Sequence, residues 1–518
     1  MKWADKIGAI DLPDVRKVHT QAIPRVGGIA MVAGSIVSIL FVADLDQQVV
    51  SILLGFLVIW IFGLWDDRCD LNYKIKFLGQ LMAIIIVVTW GDVIIKSFPF
   101  YDGSIPDYLA IPFTIFALIG ITNAINLSDG LDGLAGGITL ISISMIALLA
   151  YDAAGEIVVI IAMAVAGSIL GFLRHNTYPA RLFMGDTGSQ FLGFSLGVIV
   201  IVLSQSINSA MSPLIPLMIL GLPILDTIAV MSQRIYQMRS PFSPDKNHIH
   251  HKLLALGLDH YEAVLVIYLL QSTFVAIAYF MLYESDMLLS IIYLCVSFSV
   301  LAIFHIATIS SWRRSSTEVK QTSRLKQVIS YLRNKGILVT VPTYVLSILV
   351  PLLLLIPIVF SDKISMDLSV LAMLLLIMLL TSIFLKSAEM LILEKAVFYI
   401  TSVLAMYQLS NLSGQHEITN VMNVFFIVIA IAFALRVRFS YEGAFQVTPL
   451  DYLVVVLVVV IPNLPESHLA GSSIGEMAVK LIVLFYAGEA IMGMGLRMRY
   501  LLRIGMASTL FVVAARIF

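Results

Sequence analysis

Apolar runs of about 17 to 22 residues, the length a helix needs to cross a bilayer, recur along the whole chain between short segments rich in Gly, Pro and charge. Their number predicts an all-α polytopic membrane protein of roughly seventeen helices. From about residue 29 to residue 308 the runs give about ten crossings, which return the chain to the side where it began. The polar loops then sort into two sets. One holds Asp44, Asp46, Asp102, Asp107, Asp152, Glu156, Glu284 and Asp286, with no Lys or Arg in those turns. The other holds Arg16, Lys17, Arg25, Arg68, Lys74, Lys76, Arg174, Arg181, Arg234, Arg239, Lys246 and Lys252. The excess of positive charge marks the second set as cytoplasmic.

Residues 309–336 interrupt the apolar pattern with Arg313, Arg314, Lys320, Arg324, Lys326, Arg333 and Lys335 against Glu318. This basic linker is the expected boundary between a domain at 1–308 and a C-terminal transmembrane domain at 337–518 with about seven further helices. Within it Leu325, Val328, Ile329 and Leu332 fall on one helical face, so the linker is either a helix on the anionic leaflet or a solvated connector. The later helices carry no readable chemical motif. Glu489, deep in the run LFYAGEAIMG, is either a functional intramembrane carboxylate or a bundle-facing structural one.

Composition agrees with the pattern. With 59% hydrophobic and 13% charged residues and a mean hydropathy of +0.97, a water-soluble globule is excluded. The formal net charge of −1 says little, because sidedness depends on which loops carry Lys and Arg. Cys69 and Cys295 lie at different depths and have no metal-spaced company, so no disulfide framework is expected. MKWADKIGAI lacks an apolar h-region, and no cleaved signal peptide is expected. No nucleic-acid partner is expected either, and a homodimer is one assembly left open.

Five polar segments carry candidate chemistry, and the crossing count puts all five at the cytoplasmic face. DLPDVRKVHTQAIPRVGG (11–28) sets basic residues and a Gly pair before a helix, where phosphate oxygens could be received. In GLWDDRCDLNYKIKFLGQ (63–80), Asp66 and Asp67 close a helix shortly before Lys76. Paired carboxylates there either hold a cation or reacting group or are a solvated helix end. In NAINLSDGLDGLAGG (123–137), Asn123, Asn126, Asp129 and Asp132 recur every third residue among glycines, lining one face if helical while letting a ligand approach the backbone. NTYPARLFMGDTGS (176–189) places Asp186 between Gly185 and Gly188, and a hard cation would suit Asp186 with Asn126. SPFSPDKNHIHHKL (240–253) carries His248, His250 and His251, where zinc lacks a partner at fixed spacing and a phosphate clamp fits the nearby basic residues better.

Taken in order, DDRCDLNYKIK, NAINLSDGLDGLA, NTYPARLFMGDTGS and PFSPDKNHIHHKL closely resemble the polyprenyl-phosphate N-acetylhexosamine-1-phosphate transferases. The likeness covers residues 11 to about 310. It implies a ten- or eleven-helix bundle with a cytoplasmic active-site cleft in the bacterial inner membrane, undecaprenyl phosphate as acceptor, a UDP-N-acetylhexosamine as donor, and Mg2+ or Mn2+. It further implies Asp66 and Asp67 as catalytic aspartates, Lys76 as holder of the lipid phosphate, and Asn126 and Asp186 as metal ligands. Asn123, Asp129, Asp132 and Asn176 would line the nucleotide site, and His248, His250 and His251 would contact the diphosphate or sugar. The H-x-H-H form resembles the branch that initiates O-antigen or teichoic-acid polysaccharides, with the muramyl-pentapeptide branch as the alternative. Members of that first branch often carry one more helix ahead of the Asp11 segment, where only ten residues stand here.

A lipid phosphate monoester is mostly dianionic at neutral pH, since its second pKa is about 6. It hardly needs a base. Asp66 and Asp67 are therefore expected to organise charge rather than to abstract a proton. A transporter or flippase is the competing class, but its site would sit near the midplane between repeats, whereas these motifs gather at one face and no repeat is visible.

Overall fold

The computed structural model describes residues 10–11, 22–240, 247–309, 335–361, 364–384, 390–412, 416–439, 473–493 and 496–516. Its helices fall into two compact units, those up to Ile309 and those from Ile337 onward. Among the described residues eleven helices are long and apolar enough to cross a membrane, and the protein is an all-α polytopic membrane protein.

In the first unit the passes are α1 (Gly27–Val42), α2 (Gln47–Cys69), α3 (Tyr73–Ile85), α4 (Asp107–Leu127), α5 (Leu134–Asp152), α6 (Glu156–Asn176) and α7 (Gly185–Val202). After a short α8 (Ile215–Ile219) come α9 (Gly221–Tyr236), the seven-residue α10 (Ile249–Ala255), α11 (His260–Phe280) and α12 (Asp286–Ile309). Leaving out α8 and α10, ten helices remain where the pattern predicts ten crossings; eight of them are long and apolar enough to cross, while α1 and α9, at 16 residues each, are shorter. Two helices are apolar all round and lie inside the bundle, α5 and α7, each with 83% of its apolar window buried.

Several boundaries follow from local chemistry. Asp46 begins α2 by accepting the Val49 N–H at 2.7 Å. Asp259 and Glu262 form a reciprocal capping box at α11. Glycine sets the spacing where helices touch near one end of the bundle. A Cβ at Gly28 would stand 2.4 Å from the Gly188 nitrogen, and one at Gly63 would stand 2.5 Å from the Thr187 Cα. Small residues of this kind let membrane helices approach closely without a hydrophobic driving force. At the opposite end, a hairpin of β3 (Ser97–Phe98) and β4 (Tyr101–Ser104) is tied down by Asp286, which accepts the Phe100 N–H at 2.9 Å and the Ser212 hydroxyl at 2.5 Å. The earlier pair of strands, β1 (Ile10–Asp11) and β2 (Ile23–Pro24), leads into α1.

The second unit contains α13 (Ile337–Val359), α14 (Met366–Phe384), α15 (Met390–Asn411), α16 (His416–Phe439), α17 (Ser473–Met492) and α18 (Leu496–Ala515) around its own apolar core. The remaining expected run, within residues 440–472, lies outside the described residues, as does most of the basic linker. Glu489 is not solitary: Lys395 sits 2.8 Å from it and the Tyr399 hydroxyl donates to it at 2.6 Å. Arg503 pairs with buried Glu394 in the same unit.

Candidate active site

Because the helices alternate in direction, the end of α2, the α4–α5 loop, the start of α7 and the segment around α10 meet at one end of the first unit. Asp66 and Asp67 are adjacent on a helix, so their side chains point about 100° apart and serve different partners. Asp66 accepts the Leu71 N–H at 2.7 Å and lies 2.6 Å from the Lys76 ammonium. Asp67 reaches across to the start of α7, accepting the Asp186 N–H at 2.7 Å, the Thr187 N–H at 3.1 Å and the Thr187 hydroxyl at 2.5 Å. That helix has no side-chain cap of its own, so a carboxylate from α2 satisfies its first amides and its positive dipole end. Gly185 makes the approach feasible. Its φ is +66°, and a Cβ there would stand 2.4 Å from Asp67 Oδ1.

Lys76 bridges two carboxylates, with its ammonium also 2.7 Å from Asp186 Oδ2. Behind it, Ser189 joins α7 to the end of α4 by donating to Asn126 Oδ1 at 2.6 Å. Asn123 donates to Gln80 at 3.1 Å, and Gln80 donates to Gln190 at the same distance, so three helices share one amide chain under the site. Asp129 is exposed, and it feels Asp186, Asp132 and Asp67 as like charges and Arg25 as an opposing one. Among the described residues five carboxylates, Asp66, Asp67, Asp129, Asp132 and Asp186, thus outnumber Lys76 and Arg25 here.

Other candidates hold the loops that frame this point. Asn176 is buried; its carbonyl accepts the Gly133 N–H at 2.8 Å and its amide donates to the Leu182 carbonyl at 2.9 Å. Asp132 accepts the Ala180 N–H at 2.9 Å. The Gly pair of the first segment is engaged with protein rather than open to phosphate: the Gly27 and Gly28 amides donate to the Phe183 and Met184 carbonyls at 2.9 and 3.0 Å. Residues 12–21 and 241–246, which include Arg16, Lys17, Asp245 and Lys246, lie outside the described residues.

The histidines pack as a layer beside the α4–α5 loop. His248 precedes α10, its ring nearly parallel to that of His250 at 5.8 Å, and the His250 and His251 rings are 4.2 Å apart. His250 is buried against Gly130, where a Cβ would stand 2.2 Å from its Nε2. Burial, with the adjacent His251 charge, pushes the His250 pKa down to about 3 and keeps the ring neutral. Among the described residues no group of three or more His, Cys, Asp or Glu side chains stands ready to hold a metal.

Sequence reasoning missed Thr187, Ser189, Gln80, Gln190 and Asp226, the last of which accepts from His248 Nδ1 at 2.9 Å. Asp226 had a readable signal, a lone carboxylate inside the apolar run GLPILDTIAV. The others are ordinary polar residues whose role is defined only by what folds against them.

Fold and site together define a multi-pass membrane protein with an acidic, lysine-bridged centre at one end of its first helix bundle. Residues 49–204 match the family described as Glycosyl transferase family 4. A probable undecaprenyl-phosphate N-acetylglucosaminyl 1-phosphate transferase of Bacillus subtilis (strain 168) is 42% identical over 270 residues, covering 52% of this chain and 75% of the relative. A decaprenyl-phosphate N-acetylglucosaminephosphotransferase of Mycolicibacterium smegmatis is 35% identical over 302 residues, covering 51% and 73%. An undecaprenyl-phosphate alpha-N-acetylglucosaminyl 1-phosphate transferase of Escherichia coli (strain K12) is 33% identical over 275 residues, covering 51% and 74%. The chain belongs to this family, the polyprenyl-phosphate N-acetylhexosamine-1-phosphate transferases.

Proposed function

We propose that this protein transfers N-acetylhexosamine 1-phosphate from a UDP-sugar to undecaprenyl phosphate at the cytoplasmic face of a bacterial inner membrane, starting a cell-surface polysaccharide. A lipid-phosphate oxygen attacks the sugar-bearing phosphorus, the bond to UMP breaks, and a lipid-diphosphate sugar and UMP result. The observation that carries this reading is the Lys76 ammonium held between Asp66 and Asp186 at 2.6 and 2.7 Å. A cation so placed could receive phosphate oxygens while the flanking carboxylates hold it in position.

Two anionic substrates would be repelled by a centre where carboxylates exceed cations, so the donor set fits a divalent ion, magnesium or manganese. Asp186 and Asn126 would hold it, with substrate phosphates completing a coordination shell that protein oxygens alone do not fill. When bound, it would neutralise charge spreading over the diphosphate. The acceptor is already dianionic, so Asp66 holds Lys76 in place and Asp67 holds Asp186, and neither needs to take a proton. His250 and His251 would meet the diphosphate and sugar beside Gly130.

The test is to incubate purified protein with undecaprenyl phosphate, magnesium and a panel of UDP-sugars, following UMP release and lipid-linked product. UDP-N-acetylhexosamines should react. UDP-glucose should be a poor donor, because a site built to hydrogen-bond an absent group discriminates by about 10⁴ or more. No UMP release with any UDP-sugar, or efficient use of UDP-muramyl-pentapeptide, would overturn the reading.

A further inference from the structure

Asp226 lies on α9, outside the four motifs, and is buried. Both of its oxygens are engaged with the histidine segment: Oδ2 is 2.9 Å from His248 Nδ1, and Oδ1 accepts the Ile249 N–H at 2.9 Å. An ionised carboxylate only accepts, so the ring nitrogen facing it carries the hydrogen, and whatever His248 offers a ligand it offers through Nε2. Ile249 is the first residue of α10, and His248 supplies no side-chain cap for that helix. Asp226 is therefore both the orienter of the ring and the acceptor for the first helical amide. The helix so started carries His250 to Gly130, the glycine at the centre of the α4–α5 loop.

Resting on the transfer reaction proposed above, we propose that Asp226 is a positioning residue: it fixes the tautomer and orientation of His248 and the start of α10, so that the histidines meet the donor's diphosphate-sugar portion in one geometry. The two oxygens of Asp226 thus bind the ring and the next backbone amide together, coupling the orientation of His248 to the start of the helix. Partners of this kind behind a working histidine set which nitrogen bears the proton; behind histidines that hold a metal, their loss lowers activity by about 10–100-fold, which sets the scale expected here.

Asp226→Asn separates the two roles. The near-isosteric amide keeps an oxygen for the Ile249 N–H but turns an N–H toward His248 Nδ1, forcing the ring hydrogen to Nε2. In full-length protein with 15N-labelled histidine, the His248 signal, assigned by its loss in His248→Gln, should switch from protonated Nδ1 to protonated Nε2. Turnover should fall about 10–100-fold with little change in KM for the UDP-sugar. The double variant Asp226→Asn/His248→Gln should be no slower than His248→Gln alone, since one residue acts through the other. Unchanged turnover in Asp226→Asn, an unchanged tautomer, or losses that multiply in the double variant would overturn the proposal while wild-type transfer stands. A wild type that releases no UMP would instead overturn the transfer reading, and this inference with it.

Discussion

Asp66 and Asp67 present the same functional group one residue apart, and their neighbours separate what each can do. Asp67→Ala would strand the Asp186 N–H and both Thr187 donors in a buried place, at about 1–3 kcal/mol per unmet donor. Its melting temperature in detergent should drop and its activity should be lost together. Asp66→Ala, which leaves those donors paired, should lose activity with a smaller change in melting temperature. Asp186→Asn should keep the fold, because Asp67 grips the backbone there, and should abolish or greatly weaken metal-dependent turnover; full activity at ordinary magnesium would sink the ligand assignment. His250 gives a pH signature. Its folded pKa of about 3 lies below the ordinary 6.5, so below pH 6.5 the unfolded chain takes up a proton that the folded one refuses. The stability it contributes is whole above that pH and declines as pH falls toward 3. Replacing His250 by Gln should flatten that part of a melting-temperature profile. The sequence singled out Asp66, Asp67, Lys76, Asn126 and Asp186, because acidic and amide side chains at membrane-helix ends are conspicuous. It could not divide labour between the two aspartates, since that depends on the direction of approach of a helix more than a hundred residues away.

At the level of elements, α7 is the post on which the first unit is built. Glycines at its contacts set distances to three neighbours: Gly188 meets Gly28 on α1, Thr187 meets Gly63 of α2, and Gly193 meets α4, where a Cβ would stand 2.7 Å from Thr122 Cα. Gly193→Leu should wedge α4 from α7 at about 1–3 kcal/mol or more, lowering the melting temperature and disturbing the Asn123–Gln80–Gln190 chain below Lys76. A melting temperature equal to wild type would show that the close contact is dispensable. Helix existence was legible here because spanning runs are long and apolar; their exact number was not, because α1 and α9 are too short to tell a crossing from a shorter buried helix. The short α10 was not, because seven residues carry too little periodicity to read and its start depends on Asp226 from another helix. The framing roles of Asn176 and Asp132 were hidden for a similar reason, as a polar residue beside glycines looks the same whether it faces a ligand or a loop.

For the whole molecule, the two units have separate apolar cores with no residue in common, and every motif precedes residue 310. A chain ending in the basic linker should therefore insert and retain transfer activity, measured as UMP release at saturating substrates; stable insertion without activity would assign the later helices to the site. The Asp67 grip on α7 also bears on how the protein is made. Its partners are 119 and 120 residues further along the chain, so while a ribosome is still emitting α3 to α6 the catalytic end is necessarily incomplete. The arrival of α7 closes the acidic centre, and only the later emergence of α9 and α10 brings in the histidines. Biogenesis therefore imposes an order in which the nascent protein acquires its charged centre first and its histidine wall last, leaving early intermediates with only part of the site assembled.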